Sequence, residues 1–222
     1  MNTFGQSGAL SRLFLIGLTA SAVLVGCAPK SVRPDDESAA AHERDAAHAR
    51  EIEAKHEQAY KPNAVEHTVE HSHGIDLETS STYNPTAWHI AEAAKQSKHA
   101  HDHEAAAHEL EHFESAECKR FAPEVRAACP VAGPIKKIDE IPGGVRMTLV
   151  DDAPADEVVA HMRCHLAYAR SRAFSSELPG CPLYLKGVDI HLSADRKAIE
   201  IVGKDHSLEK EIRARTHAES HS

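Results

Sequence analysis

Aromatic residues make up only 5% of this chain, and no run of lysine or arginine stands out. Acidic side chains outnumber basic ones, 34 to 25, giving a formal charge of −9. Phosphate backbones are bound by clustered Lys and Arg, so nucleic acid is excluded as a partner. No nucleophile elbow, phosphate loop or catalytic carboxylate pair occurs, and Pro142-Gly143-Gly144 reads as a turn. These absences point away from an enzyme. No apolar run reaches the roughly 20 residues that a membrane-spanning helix needs. The apolar run Leu13 to Val25 has the length of a secretory h-region instead.

What is abundant is alanine, glutamate and histidine, a composition that leaves part of the chain without enough large apolar side chains for a packed core. The 18 histidines are the unusual feature. Imidazole titrates near pH 6.5, so acidification would reverse the sign of the net charge.

The apolar run follows Arg12 and ends in Leu24-Val25-Gly26-Cys27. This ending resembles the lipobox of bacterial lipoproteins. The resemblance, confined to residues 1–27, implies cleavage of a 1–26 signal peptide. It further implies diacylation of the Cys27 sulfur and acylation of its amine, giving a stable membrane anchor. Ala28 in the next position implies export to the outer membrane, with the protein facing the periplasm or the cell surface. Four cysteines then remain in an oxidising compartment: Cys118, Cys129, Cys164 and Cys181. They suggest two disulfides with three possible pairings, of which the local ones, Cys118–Cys129 and Cys164–Cys181, are favoured.

Residues 27–85 read as an Ala/Glu/His-rich tether. Its first part has helix formers but no apolar stripe, so any helix there is expected to be exposed and marginal. Residues 61–85, with Gly74 and Pro85, read as a linker. A His-rich helix is expected over 86–122. Beyond it, residues 130–217 change character. Val145, Met147 and Leu149 alternate as on a strand, and so do Val188, Ile190 and Leu192. Val158, Met162, Leu166 and Ala169 make one face of a helix. The expected fold is α+β, a small two-layer β-β-α-β-β-α domain.

Two histidine constellations carry possible chemistry. The first, HAHDHEAAAHELEH, ends in His108-Glu109-Leu110-Glu111-His112, the His-Glu-x-x-His pattern of zinc peptidases. Four His-Glu pairs occur in this composition, and only this one has the second histidine, so a chance match is expected. The metzincin continuation is absent. His101, His108 and His112 lie on one helical stripe with Glu104, and His99 and His103 lie a turn apart on another face. Such i, i+4 pairs suit Zn²⁺, Cu²⁺ or Ni²⁺.

The second is His161-Met162-Arg163-Cys164-His165, where two imidazoles and a thiolate could form three corners of a zinc or copper site, with Cys181 as a fourth. A disulfide at Cys164 competes with that reading, and so does a redox-active cysteine pair. The expected function is a non-enzymatic envelope lipoprotein that binds or buffers divalent metal. The alternative is a structural or pH-responsive envelope scaffold with a protein partner and no metal. A thiol-redox protein or a metallopeptidase is the minor reading.

Overall fold

The computed structural model describes residues 31–71, 78–175 and 180–219. The signal segment 1–26 and the lipidation candidate Cys27 lie outside the described residues. The described chain mixes helices with strands and holds a four-stranded antiparallel sheet, as the α+β expectation requires.

The largest difference from the sequence reading is at the supposed tether. Residues Ala39–Ala59 form α1, which packs antiparallel along α2, Trp88–Glu117. Ser38 caps α1, its Oγ accepting from the Ala41 N–H at 3.2 Å. The packing follows a 3–4 spacing on both helices. On α1, Ala39, His42, Ala46 and Ala49 are buried; on α2, Ala93, Ala100, His103, Ala107 and Leu110 are buried. That is a heptad seam built largely of methyl groups, which allows a close approach of the two helices. Alanine is too small to register as an apolar stripe, so the helix looked solvated in the sequence.

A two-stranded hairpin, β1 (Glu66–His71) and β2 (Glu78–Tyr83), joins the helices where a linker was expected. Side-chain bonds close its base: Asn84 Nδ2 donates to the Lys61 carbonyl at 2.8 Å, and the Lys61 N–H donates to Thr86 Oγ1 at 3.0 Å.

After the short helix α3 (Pro123–Arg126) come β3 (Ile135–Ile141), β4 (Gly144–Leu149), α4 (Ala155–Ser171), β5 (Val188–Leu192), β6 (Ala198–Gly203) and α5 (His206–Glu219). The sheet order is β3-β4-β6-β5, all antiparallel. Val145, Met147 and Leu149 bury one face with Ile199, Ile201, Val188 and Ile190, under Val158, Val159 and Met162 of α4 and Ile212 of α5. The other face carries the ion-paired Arg146 and Glu200. Between β3 and β4, Gly143 has φ 86°, a conformation other residues adopt only with strain. At Gly144 a Cβ would stand 2.0 Å from the Ile201 carbonyl oxygen, so β6 can pair closely only with glycine there.

The helix hairpin and the sheet with its covering helices are joined covalently within one compact unit, Val32–Ser222. Cys118 at the end of α2 bonds Cys164 in the middle of α4, and Cys129 bonds Cys181. The expected local pairing is therefore replaced by an interleaved one. Packing of α2 on α4 brings the Cys118 and Cys164 Cα atoms to 4.6 Å, and α3 intervenes between Cys118 and Cys129. Each bridge closes a loop of about 50 residues, worth roughly 4 kcal/mol of chain entropy. Polar contacts add to this junction. Glu114 of α2, only 15% exposed, accepts from Ser171 Oγ, from Arg172 Nη1 at 3.1 Å and from Arg126 Nη1 at 3.4 Å. Asp35, ahead of α1, pairs with Arg170 at 2.6 Å.

Candidate metal centres

Among the described residues, two groups of three potential ligands come together. The first is Glu37, His42 and His103, whose ligand atoms lie within 4.8 Å of one another. The seam spacing explains it: His42 and His103 occupy inward positions that alanine fills elsewhere, so their rings meet between the helices. Nδ1 of His42 is 2.9 Å from Nδ1 of His103. Both rings are buried. His42 Nε2 lies 3.3 Å from the Pro34 carbonyl, which fixes that nitrogen as the protonated one in the neutral ring. Its Nδ1 then presents a lone pair, and His103 donates to it. Glu37 Oε2 lies 4.0 Å from His42 Nδ1, covered from solvent and without a hydrogen-bond partner.

Burial, first, and then the neighbouring His99 and His42 lower the pKa of His103, against the pull of Asp45 and Glu37. A neutral imidazole is the form that binds metal.

A second cross-helix pair repeats this arrangement at the far end of the seam. Nδ1 of His56 is 2.8 Å from Nδ1 of His89, with Trp88 against both rings. Since His42 and His56 are both on α1, the two pairs stand about 21 Å apart along the helix axis. Between them Arg50 crosses from Glu53, at 3.0 Å, to Glu104, at 3.1 Å.

The other candidates on α2 are distributed differently. His99 packs edge-on to the His103 ring, 4.6 Å between centroids. His101 is exposed and pairs with Glu104. His108 and His112 stack at 6.1 Å on the solvent side, while Leu110 between them is the buried residue. Glu109, the would-be water-activating residue, faces Arg170 at 3.4 Å. The histidines and glutamates of HELEH are therefore exposed, and only Leu110 turns inward.

The second group is Cys129, His165 and Cys181. The constellation read from HMRCH divides in two. Cys164 is bonded to Cys118, and His161 turns its Nε2 to the Val125 carbonyl at 3.0 Å while its ring stacks on Phe121. His165 points inward. Its Nδ1 lies 2.8 Å from the Arg126 carbonyl, and its Nε2 lies 3.4 Å from Cys181 Sγ. Burial lowers its pKa.

No family model matches this chain, and no curated protein or solved structure does either. The geometry alone carries the functional reading.

Glu37, His42, His56, His89 and the ligand role of Cys129 were missed in the sequence. The recoverable signal was the 3–4 recurrence of alanine, since extending it through both helices puts His42, His56, His89 and His103 on the seam. No described helix is long and apolar enough to cross a membrane.

Proposed function

We propose that the chain is a lipid-anchored, non-enzymatic envelope protein that binds a divalent metal ion, Zn²⁺, Cu²⁺ or Ni²⁺, between the helices of its hairpin. The observation that carries this reading is the covered Glu37 Oε2, which lacks a hydrogen bond and faces two buried imidazoles. The Glu37 side chain as a whole is 42% exposed, but this covered oxygen has no donor, and a cation between it and the two imidazole nitrogens would satisfy it. Tetrahedral zinc with Zn–N near 2.05 Å needs its nitrogens about 3.3 Å apart. The 2.9 Å pair must open by only a few tenths of an ångström, together with a shift of the His103 proton to Nε2.

The exposed His99, His101, His108 and His112 would serve as weak, promiscuous collectors around that site. The lipobox-like Leu24-Val25-Gly26-Cys27 supports anchoring through Cys27, and Ala28 supports the outer membrane as its location. We read 130–217 as a two-layer β-β-α-β-β-α unit on which the hairpin is stapled.

The second reading, a pH-responsive scaffold without metal, draws on the same buried pair, because protonating both rings would drive them apart. Titration calorimetry separates the two. The full chain carrying Cys27→Ser, oxidised and in detergent, should take up one equivalent of Zn²⁺ with sub-micromolar affinity. His42→Ala or Glu37→Gln should weaken that binding at least tenfold, and the double change His108→Ala/His112→Ala should leave it in place. Uptake that survives His42→Ala and is lost on changing His108 and His112 would mean only an exposed chelating stripe.

A further inference from the structure

We infer that Cys129, His165 and Cys181 form a redox-gated metal site, masked as a disulfide when oxidised and able to hold zinc with two thiolates and one imidazole when reduced. This site shares no residue with the helix-hairpin centre and stands independently of it.

The geometry is already close to that of a coordinated ion. With Zn–S near 2.3 Å and Zn–N near 2.05 Å, a tetrahedral centre sets S···N at about 3.5 Å and S···S at about 3.8 Å. His165 Nε2 stands 3.4 Å from Cys181 Sγ, so that edge of the tetrahedron exists before any metal arrives. The two sulfurs would have to part, and Cα atoms 6.1 Å apart leave room for this by side-chain rotation. His165 is oriented from behind: its Nδ1–H donates to the Arg126 carbonyl at 2.8 Å, which fixes the tautomer and leaves the Nε2 lone pair directed at Cys181. An outer partner of this kind is what metal-bound histidines use.

Charge also favours the assembly. Two thiolates and one divalent ion sum to zero, so the buried His165 and Cys181 would surround a neutral centre. Cys129 is only half-buried, which gives a small thiol access to one sulfur and leaves the fourth coordination position to water.

The opening step balances with a dithiol as reductant. Its thiolate attacks Cys129 Sγ, the Cys129–Cys181 bond breaks, and Cys181 leaves as a thiolate beside His165. The reductant's second thiol then displaces Cys129 and becomes a disulfide itself. Two electrons pass to the protein and two protons are released as both thiolates coordinate zinc. Reoxidation reverses the sequence and expels the ion. At the other bridge, Cys118 Sγ lies 3.2 Å from the Cys164 carbonyl oxygen, and among the described residues no histidine groups with its sulfurs as a possible ligand set.

The test uses the full chain carrying Cys27→Ser in detergent, with Zn²⁺ or Co²⁺ as probe, before and after reduction by a dithiol. Native mass spectrometry should record one additional zinc per chain after reduction, and Co²⁺ should give thiolate-to-cobalt charge-transfer absorption with tetrahedral d–d bands. Both signals should vanish in Cys129→Ser and in Cys181→Ser. They should weaken at least tenfold in affinity in His165→Gln, and persist in His42→Ala. Oxidant should release the extra zinc with loss of two titratable thiols. The inference is overturned by any of three results: free thiols with no additional zinc, extra zinc that survives both Cys129→Ser and His165→Gln, or a reduced chain that unfolds even with zinc present.

Discussion

Nδ1 of His42 and Nδ1 of His103 approach to 2.9 Å across a helix seam, although 61 residues separate them in the chain. Only one of the two nitrogens can carry a proton while they share that hydrogen bond. Under the proposed function a proton and a metal ion would compete for this pair, and the burial of its rings bears on stability as well.

Acid should destabilise the fold in a window set by histidine. The pKa of His103 is lowered by burial and then by His99 and His42, and that of His165 by burial above all. Above their ordinary value of about 6.5 both are neutral folded or unfolded. Below it the unfolded chain binds protons more readily than the folded one, so stability present at neutral pH is lost as pH falls through that value. Carboxylates with lowered pKa, Glu53, Glu92 and Glu209, act only in the lower range of their own titration. Thermal unfolding should show Tm falling between about pH 7.5 and 5.5. The fall should be smaller in His103→Gln; an unchanged slope would remove His103 from this account.

The seam should tolerate no larger side chain at its alanines. Ala100 is fully buried against α1, whereas Ala94, on the same helix, is exposed. Ala100→Leu should cost about 1–3 kcal/mol by overpacking, and Ala94→Leu close to nothing. Urea denaturation of the two variants makes the comparison, and equal midpoints would mean that α1 is not packed on α2.

Non-reducing peptide mapping should recover Cys118 with Cys164 and Cys129 with Cys181. Replacing both cysteines of either bridge by serine should lower stability by roughly 4 kcal/mol. Recovery of Cys118 joined to Cys129 would contradict the docking of α2 on α4.

Glu114 should matter more than the other surface acids, because it receives Ser171, Arg172 and Arg126 at a junction largely shielded from solvent. Glu114→Ala leaves these donors without their shared acceptor and should cost about 2 kcal/mol. Glu111→Ala, on the exposed face of the same helix, should change the unfolding midpoint little.

The antiparallel sheet was legible because its strands alternate large apolar residues, as in Val145, Met147 and Leu149, and this period survives without knowledge of the partner. The helix hairpin was not, because alanine methyls at 3–4 spacing look the same on a buried seam and on a solvated face. His103 was reached as one of many α2 histidines. Its partners His42 and Glu37 were hidden, since only the antiparallel docking of α1 gives them a common place. The cysteines were legible as disulfide formers, but their pairing depends on α2 reaching α4. For the same reason His165 and Cys181 could be read as ligand candidates, but the second sulfur beside them proved to be that of Cys129 rather than Cys164.

The most direct test of the central claim is anomalous diffraction at the zinc edge from crystals of the oxidised protein grown with one equivalent of Zn²⁺. A single strong peak within bonding distance of His42 Nδ1, His103 Nδ1 and Glu37 Oε2 is the predicted result. Peaks confined to His108, His112 or other exposed histidines, with the His42–His103 hydrogen bond intact, would contradict it.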